Sequence, residues 1–239
     1  MRARAPLFTP LAAAFTLALL LGLQPVTTDL FAPAMPALAR SLGAVMADVQ
    51  LTMAAAILSF GLAQLVWGPV ADRVGRRPVL LAGLLMFTLA SVGAALAQRI
   101  ETVIAWRVLQ GAGMSAAVMC ARAMLRDLYE PHEGARVMAQ ALTGLGLIAI
   151  VAPVAGGLVA AWAGWRGTMT LTGLCGLALL AFVVWRVPET AHSLQPTATQ
   201  PGPLARQWRL AVPWARRDRA NASTAKANSF TLAQGYPRD

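Results

Sequence analysis

Charge is scarce in this 239-residue chain: 13% of its residues are Asp, Glu, Lys or Arg, against about 25% in a typical soluble domain. That shortage excludes an ordinary soluble enzyme. Cysteine is scarcer still. Cys120 and Cys175 both lie inside apolar blocks, where a thiol behaves as a small hydrophobe, and two such residues make neither a disulfide framework nor a metal-ligand spacing. His132 stands beside Glu133 in a loop and His192 lies in the polar C-terminal segment. No hydrolytic triad, phosphate loop or zinc site can be assembled, so the sequence points away from catalysis and calls for no metal or cofactor.

What the chain has in abundance is apolar length. Apolar residues make up 57% of it, and they arrive in six long blocks, at about 11–31, 49–68, 78–97, 103–124, 137–160 and 167–187. A bilayer core about 30 Å thick needs about 20 such residues at the helical rise of about 1.5 Å. Short linkers rich in Gly, Pro or charge separate the blocks. Backbone exposed to lipid must satisfy its own hydrogen bonds, so the expected fold is an all-α membrane protein of six transmembrane helices. Residues 1–189 form this domain. Residues 190–239 carry Pro196, Pro201, Pro203 and Pro213, with seven basic groups against two acids, and read as a disordered basic tail. Trp208, Leu210, Val212 and Trp214 within the tail suit contact with an anionic membrane surface or nucleic acid, although a solvated tail is the plainer expectation and no nucleic-acid partner is called for.

The net charge is +10, and its placement gives orientation. Arg2, Arg4, Arg73, Arg76, Arg77, Arg122, Arg126, Arg136 and Arg186 fall on one side of the alternating spans, while Arg40, Arg99 and Arg166 fall on the other. The excess predicts both termini in the cytoplasm. A cleavable signal ending at Ala32-Pro33-Ala34 is the alternative for the first block, but the run is long for a signal and five more spans follow.

Several polar groups stand out against this background. Between the second and third blocks runs Gly68-Pro69-Val70-Ala71-Asp72-Arg73-Val74-Gly75-Arg76-Arg77-Pro78. Gly and Pro suit a tight reversal, and arginines anchor a loop at an anionic membrane face. Asp72, set between glycines among arginines, is placed to accept charge-assisted hydrogen bonds or to cap a helix, as a latch would. Asp29 is a carboxylate in or at the end of the first span. Such a group is costly in lipid and usually functional, unless the helix ends before it and leaves it as an interfacial cap. Arg107 lies inside the fourth span at a depth comparable with Asp29, so the two are candidates for an ion pair that protonation of Asp29 would release. A structural hydrogen-bond hub is the alternative for Arg107.

These runs resemble a family. The loop after the second span is similar to the Gly-x-x-x-Asp-Arg-x-Gly-Arg-Arg signature of the major facilitator superfamily of secondary transporters, with Gly68, Asp72, Arg73, Gly75, Arg76 and Arg77 in the matching places. Arg107-Val108-Leu109-Gln110-Gly111-Ala112-Gly113 resembles its Arg-x-x-Gln-Gly-x-Gly pattern. Ala152-Pro153-Val154-Ala155-Gly156-Gly157 resembles its antiporter motif, with Ala152 and Ile148 standing where glycines are usual. Thr28 to Ala37 and Gln50-Leu51-Thr52 are similar to the Bcr/CflA branch, whose members export drugs such as bicyclomycin and chloramphenicol in exchange for protons.

The resemblance implies a fold of two parallel six-helix halves that rock about a midplane site, of which this chain supplies the N-terminal half. It implies a small hydrophobic or cationic drug-like substrate, a proton gradient as energy source, and an inner-membrane location. Pro153, Gly156 and Gly157 become a candidate kink against proton leakage, with plain packing as the alternative. Gln64, Gln110 and Met114, with Trp67 and Trp106, become candidate cavity-lining residues, with packing again as the alternative. Trp162 and Trp165 suit the outer aromatic belt. A second half or a homodimer partner is required for activity. The chain is accordingly expected to be a frameshifted half of an exporter, a half-transporter that dimerises, or a non-transporting anchor that presents its basic tail to lipid or another macromolecule.

Overall fold

The computed structural model describes residues 10–187. The tail at 190–239 and the arginines at positions 2 and 4 lie outside them. Within that range the chain is all helix: α1 Pro10–Thr28, a 3-10 turn Ala32–Ala34, α2 Met35–Leu42, α3 Met46–Val74, α4 Arg76–Leu96, α5 Ile100–Leu128 and α6 Pro131–Arg186. Five segments are long and apolar enough to cross a membrane, α1 through α2 counting as one. The last of them, α6, has 56 residues, about 84 Å at the helical rise and far too long for one crossing. It divides at Gly164, whose φ of 66° and ψ of −171° are not helical and lie in a region open essentially to glycine alone.

The direction of each arm follows from its contacts. Before Gly164, α6 runs parallel to α1: a Cβ on Gly144 would touch Ala18, and one on Gly156 would touch Leu30. After Gly164 it returns antiparallel to α4, Arg166 donating to the Ala97 carbonyl at 2.9 Å and Arg77 to the Val184 carbonyl at 3.0 Å. The expected fifth and sixth spans are therefore the two arms of α6, and six crossings result. Helical dihedrals continue through Pro153, and the break at Gly164 falls in the linker expected between the fifth and sixth blocks.

The first block also differs from its reading. α1 stops at Thr28, and the amides of Asp29 and Leu30 both close on the Pro25 carbonyl, at 2.8 and 3.3 Å. Pro33 and Pro36 then suit the first turns of new short helices, because neither position needs an amide donor, and α2 ends at Gly43 in the left-handed conformation. Asp29 consequently lies in a turn, half-buried. At the other end of the bundle, one residue separates α3 from α4: Gly75, with φ 108° and ψ 159°, again a conformation that disfavours a side chain.

Lipid supplies no hydrophobic drive between apolar helices, so their association depends on close packing and polar contacts. α5 is the centre, packed along α3 and α4 and touching α1 and α6. Small residues permit this. A Cβ on Gly111 would fall 2.1 Å from the Ala56 carbonyl oxygen of α3, and one on Gly113 would fall 2.6 Å from the Gly83 carbonyl oxygen of α4. Trp106 lies across Gly93 in the same way. By contrast α3 and the first arm of α6 turn Leu51, Leu58, Leu62 and Leu65, and Leu147, Ile150, Val154 and Leu158, outward.

Candidate functional site

Arg107 is fully buried among α1, α3, α4 and α5. Its Nη1 donates to the Thr27 carbonyl at 3.1 Å and to Gln110 Oε1 at 2.6 Å, and its Nη2 reaches Met53 Sδ at 3.2 Å. The guanidinium carbon lies 4.6 Å from the centre of the Phe31 ring, within cation–π range. Gln110 passes the network on, its Nε2 donating to Ser91 Oγ at 2.7 Å, and Ser91 Oγ donates to the Phe87 carbonyl at 2.8 Å. Gln110 and Ser91 are themselves fully buried. Four helices are thus tied by one side chain and its neighbours. A helical spacing of three aligns Arg107 with Gln110 on one face of α5, and Gly111 lets that face reach α3.

The expected ion pair with Asp29 is not formed. The ion pairs among the described residues are at the opposite end of the bundle, and the Asp29 carboxylate instead accepts from Thr28 Oγ1 at 2.9 Å. Arg107 meets the segment two residues earlier, at the Thr27 backbone carbonyl, and Asp29 lies in the turn that follows α1. A buried guanidinium facing only dipoles and a ring keeps its charge uncompensated; its Nε has no hydrogen-bond partner.

The second charged centre is at the α3–α4 turn. Arg76 Nη1 meets Asp72 Oδ1 at 2.7 Å and its Nε meets Asp127 Oδ2 at 3.2 Å, so one arginine joins the ends of α3, α4 and α5. Asp127 escaped the sequence reading; it is one of three acids, with Glu130 and Glu133, in the linker after the fourth block, and nothing in that pattern singled it out. Cys120 Sγ donates to the Arg76 carbonyl at 3.5 Å. Arg77 ties α4 to the end of α6, and Arg73 is exposed. Gly68 has open space around it, and of these two loop glycines it is Gly75 that carries a backbone conformation favouring glycine.

The candidate cavity residues do not converge. Met114 is packed into the core, Gln110 is consumed by the Arg107 network, and Gln64 is half-buried on α3. Trp67 donates to the Ala112 carbonyl at 2.9 Å. A small apolar pocket lies elsewhere, between Thr16, Leu17 and Leu20 of α1 and Met124, Leu125 and Leu128 of α5. Trp165 is a core residue and not part of an aromatic belt: it is buried, donates to Ser41 Oγ at 2.6 Å, and carries Arg166 at 4.4 Å over its ring. Trp162, 92% exposed, suits the belt. Gly156 touches the backbone of Leu30, whereas Gly157 has only the Pro33 Cβ at 3.9 Å. Phe31, Met53, Thr27 and Ser91 were all missed around Arg107. A serine inside an apolar block was a signal for Ser91; nothing in the pattern distinguished Phe31.

The described residues form a bundle of helices, closely packed at glycines, around a buried arginine. It superposes on the proton:xylose symporter XylE bound to 6-bromo-6-deoxy-D-glucose with a TM-score of 0.66 at 16% identity, over 79% of this chain and 46% of that one. On the human organic anion transporter MFSD10 the TM-score is 0.62 at 21% identity, over 74% and 47%. The chain belongs to the Major Facilitator Superfamily, whose family model matches residues 17–229. Among its relatives are the chloramphenicol resistance protein of Pseudomonas aeruginosa, 38% identical over 68% of this chain and 39% of the relative, and multidrug resistance protein D of Escherichia coli, 34% identical over 73% and 44%. The bicyclomycin resistance protein homolog of Haemophilus influenzae is 30% identical over 73% and 44%. The chain spans less than half the length of these relatives.

Proposed function

We propose that this chain forms the six-helix half of a proton-coupled multidrug exporter in the inner membrane, with residues 1–189 as the membrane domain, residues 190–239 as a separate tail, and both termini in the cytoplasm. The observation that carries the reading is Arg107: a fully buried guanidinium without a carboxylate, held by the Thr27 carbonyl two residues from Asp29. A charge left uncompensated in a bilayer is costly and is retained where it serves transport. An ionised Asp29 attracts Arg107 and draws the turn after α1 toward it; a protonated Asp29 leaves Arg107 on its dipoles. Proton binding would in this way shift the α1 turn and change the affinity for a hydrophobic or cationic drug. The names of the resistance-protein relatives support the substrate class.

Asp72, Arg76 and Asp127, with Arg73 and Arg77 nearby, serve as the latch at the cytoplasmic end, its closed form being the two ion pairs of Arg76. Gln64 on α3 is retained as a cavity-lining residue. A second transporter half or a second copy completes the alternating-access unit, and the proton gradient supplies the energy with no cofactor.

The test is exchange in liposomes. The purified chain is reconstituted, a pH gradient is imposed, and chloramphenicol accumulation is followed together with internal pH. Drug movement against proton flow, abolished in Asp29→Asn, is expected. An Asp29→Asn protein that still exchanges drug for protons would remove Asp29 from the mechanism, and a wild-type chain with no exchange in its assembled form would remove the transport reading.

A further inference from the structure

Gly156 and Gly157 look equivalent in the sequence, yet the structure separates them sharply. A Cβ at position 156 would fall 2.0 Å from the Leu30 carbonyl oxygen, 2.7 Å from its carbon and 2.9 Å from its Cα, while at 157 the nearest atom is the Pro33 Cβ at 3.9 Å. The obstacle at 156 is backbone, so no rotamer change can relieve it. α6 is therefore seated directly on the turn between α1 and the 3-10 helix. The residue after Leu30 in that turn is Phe31, fully buried, whose ring faces the Arg107 guanidinium at 4.6 Å. Three residues before Leu30 is Thr27, whose carbonyl accepts from Arg107 Nη1. Two of the groups that hold the guanidinium thus flank the point on which Gly156 presses.

We propose that Gly156 is a positioning residue that acts through the Leu30 turn: by admitting α6 to backbone contact it sets the Phe31 ring and the Thr27 carbonyl against Arg107. Phe31 is the second member of this device, its negative ring face standing where a carboxylate is missing. A ring displaced by even one side-chain carbon loses much of that attraction and exposes Arg107 to whichever anion is nearest. The assignment rests on Arg107 being the coupling group, but the contact it describes exists whether or not the chain transports.

The experiment reads the Arg107 side chain itself. The full chain is labelled with 15N-arginine in nanodiscs, and the Nε–H resonance of Arg107 is assigned by its loss in Arg107→Lys. In the wild-type protein this buried Nε–H, without a hydrogen-bond partner, is expected to exchange slowly with water and to lie upfield through the Phe31 ring. Gly156→Ala should move it by more than its linewidth, and Gly157→Ala should not. Phe31→Leu should abolish the upfield shift, and Phe31→Tyr should restore it. A resonance unmoved by Gly156→Ala, or moved equally by both glycine variants, overturns the proposal. If Gly156→Ala does not fold, the Phe31 pair decides: a shift that survives Phe31→Leu overturns it. Export that fails in Gly156→Ala with the resonance in place also overturns it, in favour of plain packing. A wild-type chain that transports nothing but shows these shifts would count against the function and not against the positioning.

Discussion

Two arginines, Arg107 and Arg76, each join three or more helices, and they do so by opposite means. Arg76 stands at the end of the bundle between two carboxylates, with its own side chain 12% exposed and those of Asp72 and Asp127 65% and 35% exposed. Arg107 stands inside the bundle with no carboxylate, held by a carbonyl, an amide oxygen, a thioether and a ring. Water and salt screen the first centre, which suits the latch proposed for it. Dipoles that cannot leave hold the second, and its charge remains available to a group that arrives. Position along the membrane normal thus decides whether an arginine is satisfied or poised.

The largest way to break this contrast is Arg107→Ala. It removes the cation–π contact, strands the Gln110 oxygen and opens a cavity, so a loss of about 3 kcal/mol is expected. Thermal melts of the purified protein should show that loss undiminished between low and high salt, since the site is dry. A melt that recovers as salt rises would mean that Arg107 is screened like Arg76. Next in size is Gly75→Ala, which forces a side chain into the left-handed turn that presents Arg76 and should cost about 2 kcal/mol. Gly68→Ala, in open space, should cost nothing, and equal melts for the two variants would refute the role of the turn. The smallest effect belongs to Arg76→Gln: about 1 kcal/mol at low ionic strength, vanishing at high salt. A loss that persists in high salt would place Arg76 with Arg107 and erase the distinction.

Much of the fold was legible because the bilayer demands length: each apolar block of the sequence is a helix or an arm of one. The ends were less legible. The first block reads as continuous through Phe31, but α1 ends at Thr28, Pro33 and Pro36 suit fresh helix starts, and Asp29 is left in the turn between. The loop signature singled out Asp72 and Arg76, yet Asp127 joins Arg76 from far along the chain, a contact that no local spacing encodes. Gln110 and Met114 illustrate the same limit. Their chemistry suits a cavity, but the close approach at Gly111 and Gly113 presses that stretch of α5 into the core. Trp165 suited a membrane interface by type, and Ser41, at the end of α2, gave its indole a partner that the sequence had no means of announcing.

The break at Gly164 has a consequence for topology. A helix that continued through that residue would cross once where the chain now crosses twice. Parity would change, and Val187 would stand at the opposite end of the bundle. The return of the chain therefore hangs on one backbone conformation that, among the twenty amino acids, glycine alone adopts with ease.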